Sequence, residues 1–108
     1  MDNILQAITE PRRREILRLT QDVELSAGEI ASHFTEVSRP AISQHLKVLT
    51  TAGLITMRRE GTKRLYRARP EGLAELREFL NQFWGDELQS LKQSAEAEGR
   101  SARQHASP

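Results

Sequence analysis

The sequence contains no cysteine in its 108 residues. That absence excludes a disulfide framework, a thiol nucleophile, a thiolate metal site and a thiol redox sensor. Long apolar runs are missing too. The longest resemble Ala52-Gly53-Leu54-Ile55, far short of the roughly 20 residues a membrane-spanning helix needs. Met1-Asp2-Asn3-Ile4 offers neither the basic start nor the apolar stretch of a signal peptide, so a cytoplasmic protein is expected. No glycine-rich phosphate loop, nucleophile–base pair or paired catalytic carboxylates stand out, which argues against an enzyme. Aromatic residues make up only 5%. What remains is 37% apolar and 29% charged, the make-up of one ordinary water-soluble domain with a modest core.

The net charge of +1 hides a strong asymmetry. Between Arg39 and Arg69 stand eight basic residues and a single acid, Glu60, a net +7. The rest of the chain holds eight basic and 14 acidic residues, a net −6. A basic centre between acidic flanks is the footprint of a nucleic-acid surface, although charge alone fits a solvated basic face equally well.

Capping and periodicity divide the chain into elements. Asp2 is placed to cap a first helix carrying Ile4, Leu5 and Ile8, and Pro11 opens a second helix running to about Thr20. Ser26-Ala27-Gly28-Glu29 matches a capping box opening a short third helix. After the tight connection Thr35-Glu36-Val37, Ser38 caps a fourth helix with Pro40 in its first turn. Val37 and Ile42 are spaced as a hydrophobic staple. Ile42, Leu46 and Leu49 mark the buried stripe of that helix, and Gly53 is placed to end it in a left-handed turn. Two alternating runs, Leu54 to Arg59 and Lys63 to Ala68, flank Glu60-Gly61-Thr62 and predict a β-hairpin. Pro70 opens a last helix whose apolar residues, Leu73 to Leu91, recur at steps of three and four. Residues 1–93 therefore read as one domain, and 94–108 as a flexible tail without apolar periodicity.

The order is α-α-α-α-β-β-α, mainly helical with a small hairpin. About four residues separate the third and fourth helices, the helix-turn-helix spacing, and a hairpin with basic shoulders follows at once. That is a winged helix-turn-helix, in which the fourth helix enters the major groove and the wing lies along neighbouring backbone. With Ile42, Leu46 and Leu49 inward, Arg39, Ser43, Gln44 and Lys47 face outward. Gln44 suits an adenine edge, Arg39 a guanine, Ser43 a base or phosphate, and Lys47 a phosphate. The candidate DNA-contacting set is Ser38, Arg39, Pro40, Ser43, Gln44, His45 and Lys47 on the helix, with Arg58, Arg59, Thr62, Lys63 and Arg64 on the wing. A winged helix used only for protein contacts is the alternative, but it has little need of such a charge concentration. An RNA binder would show exposed stacking aromatics, whereas strand alternation buries Tyr66, the one aromatic of the basic region.

The segments AITEPRRREILRL (Ala7 to Leu19), SRPAISQHLKVLTTAGLI (Ser38 to Ile55) and RREGTKRLYR (Arg58 to Arg67) resemble the ArsR/SmtB family of bacterial repressors over roughly residues 2 to 92. The resemblance implies a homodimer that represses transcription by occluding a promoter at a dyad-symmetric operator in double-stranded DNA. It also implies that Arg39, Ser43 and Gln44 fall on base-contacting positions. In that family the terminal helices build the dimer, which here nominates Ile4, Leu5, Ile8, Leu76, Leu80, Phe83, Trp84, Leu88 and Leu91. Metal-sensing members carry Cys-x-Cys where this chain has Ser26 and Gly28, and neither supplies a soft ligand. The family's second site uses Asp and His on the last helix, which here offers Asp86 and Glu87 but no histidine. His33, His45 and His105 are scattered, so no metal or other cofactor is expected. An unidentified small-molecule effector remains open. Phe79, Phe83 and Trp84 read first as anchors of the dimer interface and second as a ligand pocket. Arg69 replaces the aspartate that many relatives place before this proline as a cap, which loosens the start of the last helix and extends the basic surface.

Overall fold

Capping groups decide where the helices begin. The computed structural model describes residues 1–84 and Ala95. Helix α1 spans Asp2–Thr9, with Met1 at the cap and no side-chain cap bond. Asp2 is thus the first helical residue rather than the expected cap, and its carboxylate sits where the helix dipole favours negative charge. Helix α2, Pro11–Leu19, is capped by Glu10, whose carboxylate accepts from the amides of Arg12 (2.8 Å) and Arg13 (3.1 Å). Arg14 donates to the carbonyls of Ile8 and Thr9, satisfying the end of α1.

Strand β1, Leu25–Ser26, leads into α3, Ala27–Ser32. The capping box is complete: Glu29 N–H donates to Ser26 Oγ at 3.1 Å, and Ser26 N–H to Glu29 Oε1 at 2.9 Å. Between the C-cap His33 and the N-cap Ser38 lie Phe34 to Val37, the four-residue turn expected. Helix α4 runs Arg39–Thr51, with Ser38 Oγ accepting from Ala41 N–H at 3.2 Å. It buries Ile42, Leu46 and Leu49. Burial of each such side chain stabilises the fold by about 1.5–3 kcal/mol. Gly53, at φ 76, ends α4, and Leu54 N–H reaches back to Leu49 O at 3.0 Å.

The hairpin is β2, Ile55–Glu60, and β3, Lys63–Ala68. Glu60 pairs with Lys63, so Gly61-Thr62 alone forms the turn. Gly61 takes φ 63 and Thr62 a negative φ, matching a type II′ hairpin with glycine first. The expected two strands become three, in the order β1-β3-β2, because the extended residue before the capping box pairs with β3 through Leu25–Tyr66 and Ser26–Leu65. Two residues of strand carry no periodicity, so β1 has no signature in the sequence. Thr20 O accepts from Ala68 N–H (3.0 Å), and Leu54 O from Arg69 N–H (2.8 Å), tying the hairpin base to α2 and α4. The core joins Ile4, Ala7, Ile16, Ile30, Ile42, Leu46, Leu49, Leu54, Ile55 and Tyr66.

Pro70 opens a 3₁₀ turn, Pro70–Leu73, before residues 74–84 become helical. Arg69 makes no side-chain cap there, as its chemistry implied. Its guanidinium donates instead to Gly53 O at 3.2 Å. The chain divides into two units, Met1–Leu76 and Arg77–Pro108. In the second, Phe79 and Phe83 pack edge-to-face at 5.2 Å, with Trp84 6.4 Å from Phe83. The expected boundary near residue 93, together with Asp86, Glu87, Leu88, Leu91 and His105, lies outside the described residues. Among the described residues no helix is long and apolar enough to cross a membrane.

Candidate nucleic-acid interface

Once the Ile42–Leu46–Leu49 stripe is buried, helical geometry leaves Arg39, Pro40, Ser43, Gln44 and Lys47 exposed on the opposite side of α4, with Ser38 exposed at its cap. The wing rises beside them. An open concavity of about 560 Å³ lies between, lined by Ser43, Gln44 and Lys47 from α4 and by Met57, Arg64 and Tyr66 from the hairpin. Tyr66 is 8% exposed, so the ring supports the concavity rather than offering a stacking surface.

Strand register sorts the wing's charges by face. Arg59 pairs directly across from Arg64, on the face shared by Met57 and Tyr66. Opposed like charges destabilise a strand pair. No carboxylate lies within ion-pair distance of either arginine among the described residues. The register thus sets two exposed arginines opposite each other on the wing, and Arg64 lines the concavity. Lys63 and Thr62 stand exposed at the tip.

Two candidates are placed differently from the rest. His45 is half-buried against α2, its Nε2 3.9 Å from the Glu10 carboxylate. Burial lowers its pKa; Glu10 opposes that, while Arg13 and Arg12 add to it. The Glu10 carboxyl, raised by burial, is brought below its usual range overall by the amides of Arg13 and Arg12 and by the charges of His45 and Arg12. Arg58 lies on the other face of the hairpin, and its Nε and Nη2 donate to Glu24 at 2.7 and 2.8 Å. Nη2 also reaches Glu60 at 3.1 Å. The hydrogen bond to Arg58 lowers the Glu24 pKa, and the same bond raises that of Arg58. Arg39 bends back, with its guanidinium nitrogens 3.8 Å from where a Cβ on Gly28 of α3 would stand.

The nominated interface residues fall into three groups. Ile4 is 8% exposed and belongs to the subunit's own core, with Ile8 packed against it. This corrects the amphipathic reading of α1: its main apolar stripe faces α2 and the core within the chain, leaving Leu5 outward at 41%. Leu76 and Leu80 are half-buried, while Phe83 (72%) and Trp84 (47%) are exposed. Leu88 and Leu91 lie outside the described residues.

The segment that carries cysteine ligands in metal-sensing relatives does not fit a soft metal here. Ser26 Oγ accepts the capping bond from Glu29, and Gly28 has no side chain. Among the described residues, no three His, Asp or Glu side chains gather into a metal-sized cluster. Sequence reasoning missed Glu10 and Glu24. A glutamate directly before Pro11 was a readable cap signal. Glu24 had none, since its partner lies 34 residues away.

Residues 8–58 match the family described as a helix-turn-helix domain. The chain is 44% identical over 98 residues to the HTH-type transcriptional regulator Rv2034 of Mycobacterium tuberculosis, covering 91% of each. It is 44% identical over 61 residues to the transcriptional repressor SdpR of Bacillus subtilis, covering 56% of this chain and 67% of that one. In structure it is similar to an ArsR-like transcriptional regulator from Rhodococcus sp. RHA1, at TM-score 0.72 and 30% identity over 89% of this chain and 90% of that one. With fold, helix-turn-helix and near full-length similarity in agreement, the chain belongs to the ArsR/SmtB family of winged-helix DNA-binding transcriptional regulators, which are not enzymes.

Proposed function

We propose that this regulator is a homodimeric repressor that binds a dyad-symmetric operator and represses by occluding promoter sequence. The carrying observation is the exposed row Ser43, Gln44 and Lys47 of α4, set across a concavity from the uncompensated Arg59–Arg64 pair. In this reading Gln44 hydrogen-bonds an adenine edge, Ser43 and Arg39 read neighbouring positions, and Lys47 meets a phosphate. Arg59, Arg64, Lys63 and Thr62 hold the backbone beside that groove, with Ser38 and Pro40 at the entering end of α4. His45 acts from behind, positioning α4 against α2. Likeness to a relative named as a repressor supports the direction of control.

The dimer forms through the terminal helices, using Leu5 from α1 and Phe83 and Trp84 from the last helix. Two recognition helices then address successive major grooves about 34 Å apart. Acting on promoter DNA, the protein works in the cytoplasm. Its control does not run through the family's cysteine metal site, and any inducing ligand is a small molecule of another class.

The test is a fluorescence-anisotropy titration with duplex from upstream of the protein's own gene against a scrambled duplex. It is run at several salt concentrations, with EDTA and then with zinc. Tight, sequence-dependent binding indifferent to both additions is expected. Release by zinc refutes metal independence, and no preference over scrambled duplex refutes operator recognition at that promoter.

A further inference from the structure

The wing carries one cation that its own chain has already neutralised. Arg58 is gripped through two nitrogens by Glu24, at 2.7 and 2.8 Å, and touched by Glu60 at 3.1 Å. Such a fork-to-carboxylate arrangement is the strongest and most directional form of ion pair. Its anchor is rigidly placed, because Glu24 directly precedes β1, which is paired to β3 and continues into the capping box of α3. The two carboxylates flanking Arg58 offset its charge, on the hairpin face opposite the Arg59–Arg64 pair.

The geometry points to Glu24 as a positioning residue for DNA binding: with Glu60 it holds Arg58 away from the phosphate backbone and fastens the wing to the β1–α3 segment. The inference rests on the reading of the wing as a phosphate-contacting element. It divides the five polar wing candidates into two classes. Arg59, Thr62, Lys63 and Arg64 engage DNA, while Arg58 is a tether. The consequence is a ceiling on sequence-independent affinity. Every phosphate met by a cation adds to binding on any duplex alike, so withholding one cation per protomer lowers non-specific binding without touching the bases that α4 reads.

Salt dependence separates a tether from a contact, because the slope of log affinity against log salt counts phosphates neutralised, at about 0.9 each on duplex DNA. Wild type, Glu24→Gln, the double variant Glu24→Gln/Glu60→Gln and Arg58→Ala are titrated with operator and scrambled duplex at several salt concentrations. Circular dichroism melts verify that each is folded. Releasing Arg58 makes the slope of the glutamine variants steeper, by up to about 0.9 per protomer, and tightens scrambled duplex at least as much as operator. Arg58→Ala weakens binding by loosening the wing but leaves the slope unchanged.

A wild-type-like slope in both glutamine variants overturns the inference. So does a slope flattened by about 0.9 per protomer in Arg58→Ala, since Arg58 would then already sit on a phosphate. Wild type that binds no duplex in a salt-dependent way fails earlier, and removes the wing reading together with this inference.

Discussion

Substituting Gly72 by alanine tests the tightest backbone approach in the fold. A Cβ at Gly72 would stand 3.0 Å from the Gly53 carbonyl carbon and 3.1 Å from Leu54 Cδ2, with Gly53 O nearer than either. Ordinary contact begins near 3.4 Å, so one of two backbone segments must move. Neither moves freely. Gly53 is held at φ 76 with its N–H on Thr50 O at 3.0 Å, and Gly72 N–H is bonded to Arg69 O at 2.9 Å. Overpacking against backbone costs about 1–3 kcal/mol. For a domain of this size each kcal/mol lowers the thermal midpoint by about 4–8 °C.

The neighbouring glycines supply internal controls for a calorimetric or circular-dichroism melt. Gly61 has a positive φ but open space around it, so Gly61→Ala carries only the left-handed backbone cost of about 1–2 kcal/mol. Gly28 lies inside α3 with nothing closer than 3.8 Å, so Gly28→Ala stabilises by up to about 1 kcal/mol through helix propensity. The order Gly28→Ala above wild type, then Gly61→Ala, then Gly72→Ala is the expected result. A Gly72→Ala protein melting with wild type would refute the close approach of the 3₁₀ turn to the end of α4.

Replacing Gln44 by alanine should cost about 1–3 kcal/mol on operator and relax preference at one base position per half-site, which selection from a randomised duplex pool measures; equal loss on all sequences would exclude base reading. Arg64→Ala should flatten the salt slope by about 0.9 per protomer, read from anisotropy titrations. His45, with a pKa lowered from 6.5 chiefly by burial, binds its proton less readily in the fold than in the unfolded chain. The fold is therefore at its most stable, as far as this group is concerned, above about pH 6.5 and loses stability as pH falls below it. Thermal midpoints should drop between about pH 7.5 and 5.5, and less so in His45→Gln. Glu10, with its pKa lowered, stays ionised across that window. Phe83→Asp, at a side chain 72% exposed, should leave the subunit folded and give monomers in sedimentation velocity; a persistent dimer would move the interface elsewhere.

The parts of the fold legible in the sequence were those set by local chemistry. The Ser26–Glu29 box, the Ser38 cap, the Ile42–Leu46–Leu49 stripe and the hairpin with glycine in its turn depend on residues within one or two turns of each other. The outward row on α4 followed from that stripe by geometry alone. What escaped depended on distant partners. Strand β1 exists only because β3 accepts it, Ile4 is buried because α1 folds onto its own subunit, and Arg58 is paired by a residue on another element. Charge counting placed Arg58 among the basic shoulders of the wing, yet register and Glu24 separate it from Arg59, which adjoins it in sequence.

The strand order β1-β3-β2 leaves β2 with no partner strand on its outer side among the described residues, and β1 covers only Leu65 and Tyr66 in the middle of β3. Exposed strand edges template the addition of further strands, and proteins keep them apart with charge. Here that guard is Arg58, Arg59 and Glu60 on β2 and Lys63 and Arg64 on β3. Three of the side chains proposed to hold DNA, Arg59, Lys63 and Arg64, thus also help keep the wing of one molecule from zipping onto that of another. Stripping several of them at once would trade a loss of binding for a gain in self-association, so multiple-charge variants of the wing have to be assayed for aggregation before any lost affinity is assigned to missing phosphate contacts.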